Sequence, residues 1–411
     1  MIPKAITGLQ CHQCNWLVPA DPFHYTCSKC GKNLDFIYDY DLIKRAWSKH
    51  DLEQNPAQSI WRYLPLLPVT RAPKNTSLKV GGTPLVNLPE IAADHSVASF
   101  QIKDDTRNPS GSLKDRATEL SIQHAHEQGK ETIVAASTGN AGSSLAALTA
   151  FHGVKSIIFA PASAPPAKLT QIRQHLAKLV PVDGNYDAAF DLAFSWSQKN
   201  DHYSRNTGIN PILAEGKKTV ALEIAEQRNW LAPDHIFIPV GDGCIISGVF
   251  KGFFDLLALG WIDYLPRLHA VQAKGSSAIV DSLTRGGEIT PVVADTVADS
   301  ISVDAPRDGD KARRAILESG GMGFKIGDDQ ILSAQQKLSA TSGIFAEPAA
   351  ATAYAGFLQA SSQGIFKPDD HVVVLITGTG LKDIPSAQKN MAKIEPVSAD
   401  IHAVEQYLES N

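Results

Sequence analysis

Strand-then-helix alternation over most of the chain predicts an α/β protein built on open, mostly parallel sheets flanked by helices. Apolar runs of strand length recur near Phe100, Ile133, Ile157, Val180, Ile236, Leu268 and Val373. Stretches with apolar residues at helical spacing separate or flank them, at 113–128, 142–151, 167–178, 188–198, 217–228, 247–257, 311–318, 329–338 and 348–359. Glycine- and hydroxyl-rich turns follow several of the strands directly, and open parallel sheets bind ligands at those strand ends. With 411 residues, 43% of them hydrophobic, the chain can bury a large core and is expected to divide into two or three domains.

Composition narrows the function classes. The net charge is −5 and the charged residues are dispersed, which argues against nucleic acid as a partner. No apolar run approaches the roughly 18–20 residues of a membrane span. The first ten residues carry no signal-peptide core, so a cytoplasmic location is expected. A polar helical tail is expected near 403–408.

At the N-terminus, Cys11, Cys14, Cys27 and Cys30 form two Cys-x-x-Cys pairs twelve residues apart. Two such knuckles have the look of a zinc ribbon whose four thiolates close a tetrahedral site, structural because no position is left open. His12 and His24 are available as substitutes. Disulfides or a redox dithiol compete, the first disfavoured in a reducing compartment.

The run Asn108-Pro109-Ser110-Gly111-Ser112-Leu113-Lys114-Asp115-Arg116 holds the most informative lysine. Turn residues break the preceding strand, and Ser112 with Asp115 reads as a capping box opening a helix. Lys114 then lies in the first turn, where the positive end of the helix dipole favours a neutral amine suited to Schiff-base chemistry. Most lysines are simply solvated, and this run alone leaves the two readings even. Asp115 and Arg116 are expected to form a local ion pair.

Three further turns add weight. Ser137, Thr138, Gly139 and Asn140 follow the apolar run 132–136 and open an alanine-rich helix, presenting backbone donors together with hydrogen-bonding side chains. Gly241, Asp242, Gly243 and Cys244 follow the strand at Ile236 and precede a helix expected near Ser247, as in a phosphate cup. Thr377, Gly378, Thr379 and Gly380 end the strand at Val373. The thirteen histidines show no ligand spacing.

Together these segments resemble the fold-type II pyridoxal-phosphate enzymes, and the threonine synthases more than other members. The lysine run is similar to that family's Asn-Pro-Thr-Gly-Ser-Phe-Lys-Asp-Arg. Gly82-Thr83-Pro84-Leu85, Asn210-Pro211, Glu215-Gly216-Lys217-Lys218-Thr219, Leu222-Glu223-Ile224, Glu347-Pro348-Ala349 and 377–383 match further family motifs in order. The resemblance implies two such sheets: a larger α/β domain at 41–110 and 216–411 that binds the cofactor, a smaller one at 111–215, and the ribbon-like segment at 1–40. It implies that Lys114 holds pyridoxal 5′-phosphate and shuttles protons, and that Asn140 bonds the cofactor's ring hydroxyl. Ser137, Thr138, Gly139 and Asn140 would bind the substrate carboxylate, and Gly241, Asp242, Gly243 and Cys244 the cofactor phosphate. Thr377 would face the pyridine nitrogen. A hydroxyl there makes the cofactor a moderate electron sink, which suits elimination and replacement better than transamination. Glu347 either orients the cofactor or caps the helix at Pro348; the cap is favoured.

The expected activity is conversion of O-phosphohomoserine and water to threonine and phosphate by a homodimer. One departure weakens it: Leu213 stands where the family carries a phosphate-binding arginine, and a leucine cannot pair with a dianion. Lys217, Lys218, Arg205 or Arg107 could supply that charge. The stretch Ser302–Arg307 also departs from the family pattern. The alternatives are a threonine or serine ammonia-lyase, a cysteate-synthase-like β-replacement on another small amino acid, or a zinc-ribbon binding protein with an inactive enzyme body.

Overall fold

The computed structural model describes residues 4–20, 23–164, 166–389, 391 and 396–410. A six-stranded sheet is built from β4 (Leu85–Asn87), β5 (Ser99–Asp104), β10 (His235–Pro239), β11 (Arg267–Ala273), β12 (Gly323–Ile326) and β13 (His371–Ile376), in the order β12-β11-β10-β13-β5-β4. All its pairings are parallel except β4 with β5. A second, fully parallel sheet holds β6 (Thr132–Ala136), β7 (Lys155–Pro161), β8 (Lys178–Val182) and β9 (Tyr203–Ser204), in the order β8-β7-β6-β9. Strands such as Thr132–Ala136 and His235–Pro239 are buried at every residue, as sheets covered by helices on both faces require. The predicted α/β class with open, mostly parallel sheets is therefore what the chain adopts.

The remaining strands, β1 (Ile6–Cys11), β2 (Leu17–Val18) and β3 (Leu34–Tyr38), form a small antiparallel sheet around the four cysteines. It packs on the body through Tyr38, whose hydroxyl donates to Glu215 at 2.6 Å. Asn33 donates to the Arg307 carbonyl at 2.9 Å and to Asp308 at 2.6 Å.

Helix packing explains one conspicuous glycine. A Cβ on Gly216, in the helix Ile212–Gln227, would sit 2.5 Å from the Arg116 carbonyl oxygen and 2.6 Å from the Ala117 Cα. Only glycine lets that helix approach the helix Lys114–Glu127 so closely.

Four local expectations are corrected. The helix after the Gly241 turn starts at Cys244, not Ser247, and runs to Leu259. The segment predicted as helix 167–178 is helical only at Pro166–Gln174, and Lys178 already begins a strand. No capping box opens the Lys114 helix: its N-cap is Leu113, and Ser112 Oγ has no partner. Asp115 instead accepts from the Ser110 N–H at 2.6 Å and hydroxyl at 2.5 Å. Nor does Asp115 pair with Arg116, which points into the core and meets Asp105 and Glu223 at 2.7 and 2.6 Å. A buried guanidinium needs full carboxylate partners, and the neighbouring aspartate is engaged by the turn. The tail forms the helix Ile401–Ser410. No helix among the described residues is long and apolar enough to cross a membrane.

Candidate active site

Parallel strands deliver the site. β6 ends at Ala136 and leads into Ser137; β10 ends at Pro239 before Gly241; β13 ends at Ile376 before Thr377. The carboxyl ends of the two sheets enclose a cavity of about 410 Å³. Lys114, Ser137, Thr138, Gly139, Asn140, Gly241, Asp242, Gly243 and Cys244 all line it. These residues come from three separate stretches of sequence, so only the two-sheet topology could bring them together.

Thr377 is placed differently. It is buried and is not part of that lining, and its carbonyl oxygen accepts from the Leu113 N–H at 2.9 Å. It thus ties the end of β13 to the residue immediately before Lys114.

Lys114 is half-buried, and its amine is pushed down to about 8. Burial is the largest cause, followed by the positive charge of Lys217; Cys244 and Glu347 act in the opposite direction. Desolvation, rather than the helix terminus alone, makes this lysine a ready nucleophile.

The Gly241–Cys244 turn has the build of an anion cradle. Gly243 has φ +93°, and a Cβ there would lie 2.7 Å from the Ala312 Cβ and 2.8 Å from the Asp308 carbonyl oxygen. A Cβ on Gly241 would meet the Ile301 Cα at 2.9 Å. Both positions therefore require glycine, and the turn runs directly into the N-terminus of the sixteen-residue Cys244 helix. Burial pushes the Cys244 thiol up to about 12, so it acts as a small neutral residue. Asp242 anchors the loop opposite: its backbone oxygen accepts from the Asp308 N–H at 3.0 Å and its carboxylate from the Arg307 N–H at 3.3 Å.

Glu347 overturns the expected cap. It occupies the N-cap position of the helix Pro348–Ser362, but its side chain makes no capping bond. Its carboxylate accepts from Asn140 Nδ2 at 2.7 Å and from Ser300 at 3.3 Å. It also lines a second cavity, which shares Thr138, Gly139 and Asn140 with the first. Ser300 has no sequence signal because it sits in the three-residue helical turn Asp299–Ile301, too short to show a periodic pattern; the Ser302–Arg307 stretch after it stands out only by its departure from the family pattern. Arg205 and Lys217, considered only as charges for a substrate phosphate, are both fully buried close to Lys114.

Apart from the cavity, the four cysteine sulfurs converge. Sγ–Sγ separations are 3.5 Å for Cys11–Cys30, 3.6 Å for Cys14–Cys27 and 3.6 Å for Cys14–Cys30. Each knuckle closes in the same way: Asn15 (φ 56°) donates to the Cys11 carbonyl at 3.0 Å, and Gly31 (φ 73°) to the Cys27 carbonyl at 2.8 Å.

A half-buried lysine with a depressed amine, set opposite a glycine turn at a helix N-terminus and at the ends of two parallel sheets, fits one class of enzyme. The profile of the family described as pyridoxal-phosphate dependent enzyme matches residues 76–378, and the chain belongs to that family. Within it, the chain is similar to threonine synthases. The threonine synthase of Methanocaldococcus jannaschii is 36% identical over 97% of this chain and 98% of its own. That of Methanosarcina acetivorans is 37% identical over 96% and 97%, and that of Mycobacterium tuberculosis 33% over 83% and 93%. Among solved structures, threonine deaminase isoform 2 of Solanum lycopersicum superposes with a TM-score of 0.63 at 21% identity, covering 80% of this chain and 82% of its own. The L-serine ammonia-lyase of Rhizomucor miehei gives 0.64 at 22%, covering 75% and 98%. At that identity the two structures share the fold.

Proposed function

We propose that this protein is a threonine synthase that converts O-phosphohomoserine and water to threonine and phosphate, with Lys114 as its catalytic residue. The reading is carried by near-full-length similarity to threonine synthases together with a lysine aimed into a cavity that also holds the anion cradle. The site fits pyridoxal 5′-phosphate: Gly241 and Gly243 leave room that a side chain would fill, and the helix N-terminus favours a phosphate. When bound, that cofactor supplies an electron sink for charge developing next to the substrate's amino group. Ser137, Thr138 and Gly139, ahead of the Asn140 helix, are suited to hold the substrate carboxylate with hydroxyl and backbone donors. Lys114, with its amine near neutrality, can accept a proton from the α-carbon and return one later in the cycle. Asn140 is held in orientation by Glu347 and Ser300; the resemblance gives the cofactor's ring nitrogen to Thr377, although that residue does not line the cavity.

Two expectations follow. In cofactor-free protein, covalent capture of pyridoxal phosphate needs the unprotonated amine, so its rate should rise with pH through about 8 and then flatten. An ordinary lysine would not level off until roughly 10.4; a stopped-flow pH profile separates the two. The four-sulfur cluster supports a structural zinc ion, because a Zn–S bond of about 2.3 Å in tetrahedral geometry puts sulfurs roughly 3.8 Å apart. Metal analysis should find one zinc per chain, and Cys27→Ser should lose it and lower the melting temperature. The resemblance extends the proposal to a homodimer, which sedimentation velocity would check.

A second reading has one observation in its favour. Leu213 is buried beside Lys217 and is not part of the cavity lining. With no arginine at that place, elimination or β-replacement on another small amino acid competes with the first reading. Incubation with O-phosphohomoserine, with threonine, and with O-phosphoserine plus sulfite decides between them. Threonine and phosphate from the first supports threonine synthase; ammonia and 2-oxobutyrate from the second supports the lyase; cysteate from the third supports the replacement enzyme. If the replacement enzyme is the answer, Leu213→Arg should create phosphohomoserine turnover.

A further inference from the structure

Beneath the Gly241–Cys244 turn lie two basic side chains that no carboxylate pairs directly, though Asp242 and Asp308 act on Lys217 from a distance. Lys217 is fully buried, and its Nζ has no hydrogen-bond partner. Arg205 is 1% exposed and donates to the hydroxyls of Thr118 and Thr207, at 3.1–3.2 Å. Neither forms an ion pair among the described residues. The contrast with the other buried basic residues is sharp. Lys103 pairs with Glu223, Lys218 with Glu215 and Asp255, and Arg116 with Asp105 and Glu223.

Packing aims Lys217 at the turn. A Cβ on Gly248 would lie 2.8 Å from the Lys217 Cβ, so the lysine stem crosses the Cys244 helix one turn after its start. Lys217 also shares a small void with Cys244, the last residue of the turn, and with Asp308 beside it. Its charge acts on the Lys114 amine, and Arg205 acts on the same amine. Lys217 follows Leu213 by four residues in one helix, so the two occupy the same face one turn apart. Burial of an unpaired charge is among the costliest arrangements a fold retains. Two unpaired basic side chains beside a helix N-terminus suit a doubly charged anion. Burial pulls the Lys217 amine down, and an arriving anion would reverse that.

We propose that Lys217, backed by Arg205, neutralises a phosphate monoester dianion held at the start of the Cys244 helix. This deepens the pyridoxal-phosphate reading of the cavity and rests on it. The dianion is either the cofactor's 5′-phosphate or the phosphate of an amino-acid substrate, and the test separates the two.

The protein is compared with Lys217→Met, Lys217→Gln and Lys217→Arg. Three quantities are measured: the dissociation constants of pyridoxal phosphate and of pyridoxal by absorbance, and that of inorganic phosphate for the cofactor-loaded protein by calorimetry. A charge-assisted contact predicts weakening of about 10- to 100-fold in Met and Gln, with recovery in Arg. Weakened pyridoxal phosphate with unchanged pyridoxal assigns Lys217 to the cofactor. Unchanged cofactor binding with lost inorganic phosphate binding assigns it to the substrate. Removing an unpaired charge should also leave the cofactor-free Met or Gln protein at least as thermostable as the original while shrinking its phosphate-induced rise in melting temperature, an outcome a merely structural lysine would not produce. If Gln and Met bind both phosphates like the parent, or the cofactor-free Gln protein is markedly destabilised, the inference is overturned. Failure of the parent protein itself to take up pyridoxal phosphate would instead overturn the functional reading.

Discussion

Lys114→Ala is expected to abolish covalent cofactor attachment and to lower turnover by about 10³-fold or more. In the proposed function one side chain is both the attachment point and the proton carrier, and general acid–base catalysis alone contributes about 10²–10⁴-fold. After borohydride reduction, peptide mass mapping should find a pyridoxyl group on Lys114 in the parent and none in the variant. The change should cost little stability, because it trims a half-buried amine whose charged form is already disfavoured by burial and by Lys217. A variant that turns over within tenfold of the parent would remove Lys114 from the mechanism.

The second large effect is on stability. Arg116→Met is expected to destabilise the protein by about 3–5 kcal/mol, against a total stability of roughly 5–15 kcal/mol. The guanidinium is fully buried and contacts Asp105 at 2.7 and 2.8 Å, Glu223 at 2.6 and 2.8 Å, Thr83 at 3.0 Å and Thr219 at 3.1 Å. Lys103 reaches the same Glu223 at 2.7 Å. Two cations and two carboxylates thus balance in the core, and deleting Arg116 strands Asp105. Burial alone would raise the Glu223 carboxyl, but Arg116 and Lys103 outweigh it and hold it well below the usual range. A depressed carboxylate adds stability above its unfolded pKa of about 4.3 and loses it as pH falls through the folded value. The difference between parent and variant should therefore be widest at neutral pH and narrow in acid. Urea denaturation at several pH values measures it; a midpoint unchanged at neutral pH would show that the cluster contributes nothing net.

That cluster also explains motifs whose meaning was hidden in the sequence. Thr83, Arg116, Thr219 and Glu223 belong to matched segments far apart along the chain, and in the fold they form one hydrogen-bonded charge cluster. Through Arg116 they tie the Lys114 helix to the Ile212 helix, and they take no place in the cavity lining. The Asp115–Arg116 ion pair failed for the same reason. Sequence adjacency on a helix does not bring i and i+1 side chains face to face, and the stronger partners came from Asp105, just after β5, and from Glu223 in the Ile212 helix.

What the sequence determined by itself were the features set by local physics. Apolar runs marked most of the strands and period-3.6 patterning most of the helices, small-residue turns marked the strand ends, and paired cysteines marked the knuckles. Lys114, the Ser137–Asn140 turn and the Gly241–Cys244 turn were legible because glycine, hydroxyl and lysine in those orders answer local demands of backbone and anion. Tertiary structure alone decided which distant groups share a dielectric: that Glu347 holds Asn140 instead of capping its helix, and that Lys217 and Arg205 lie unpaired beneath the cradle while every other buried basic side chain described above is matched. Charge burial and pairing depend on what another segment places within a few ångströms, and no periodicity along the chain encodes that.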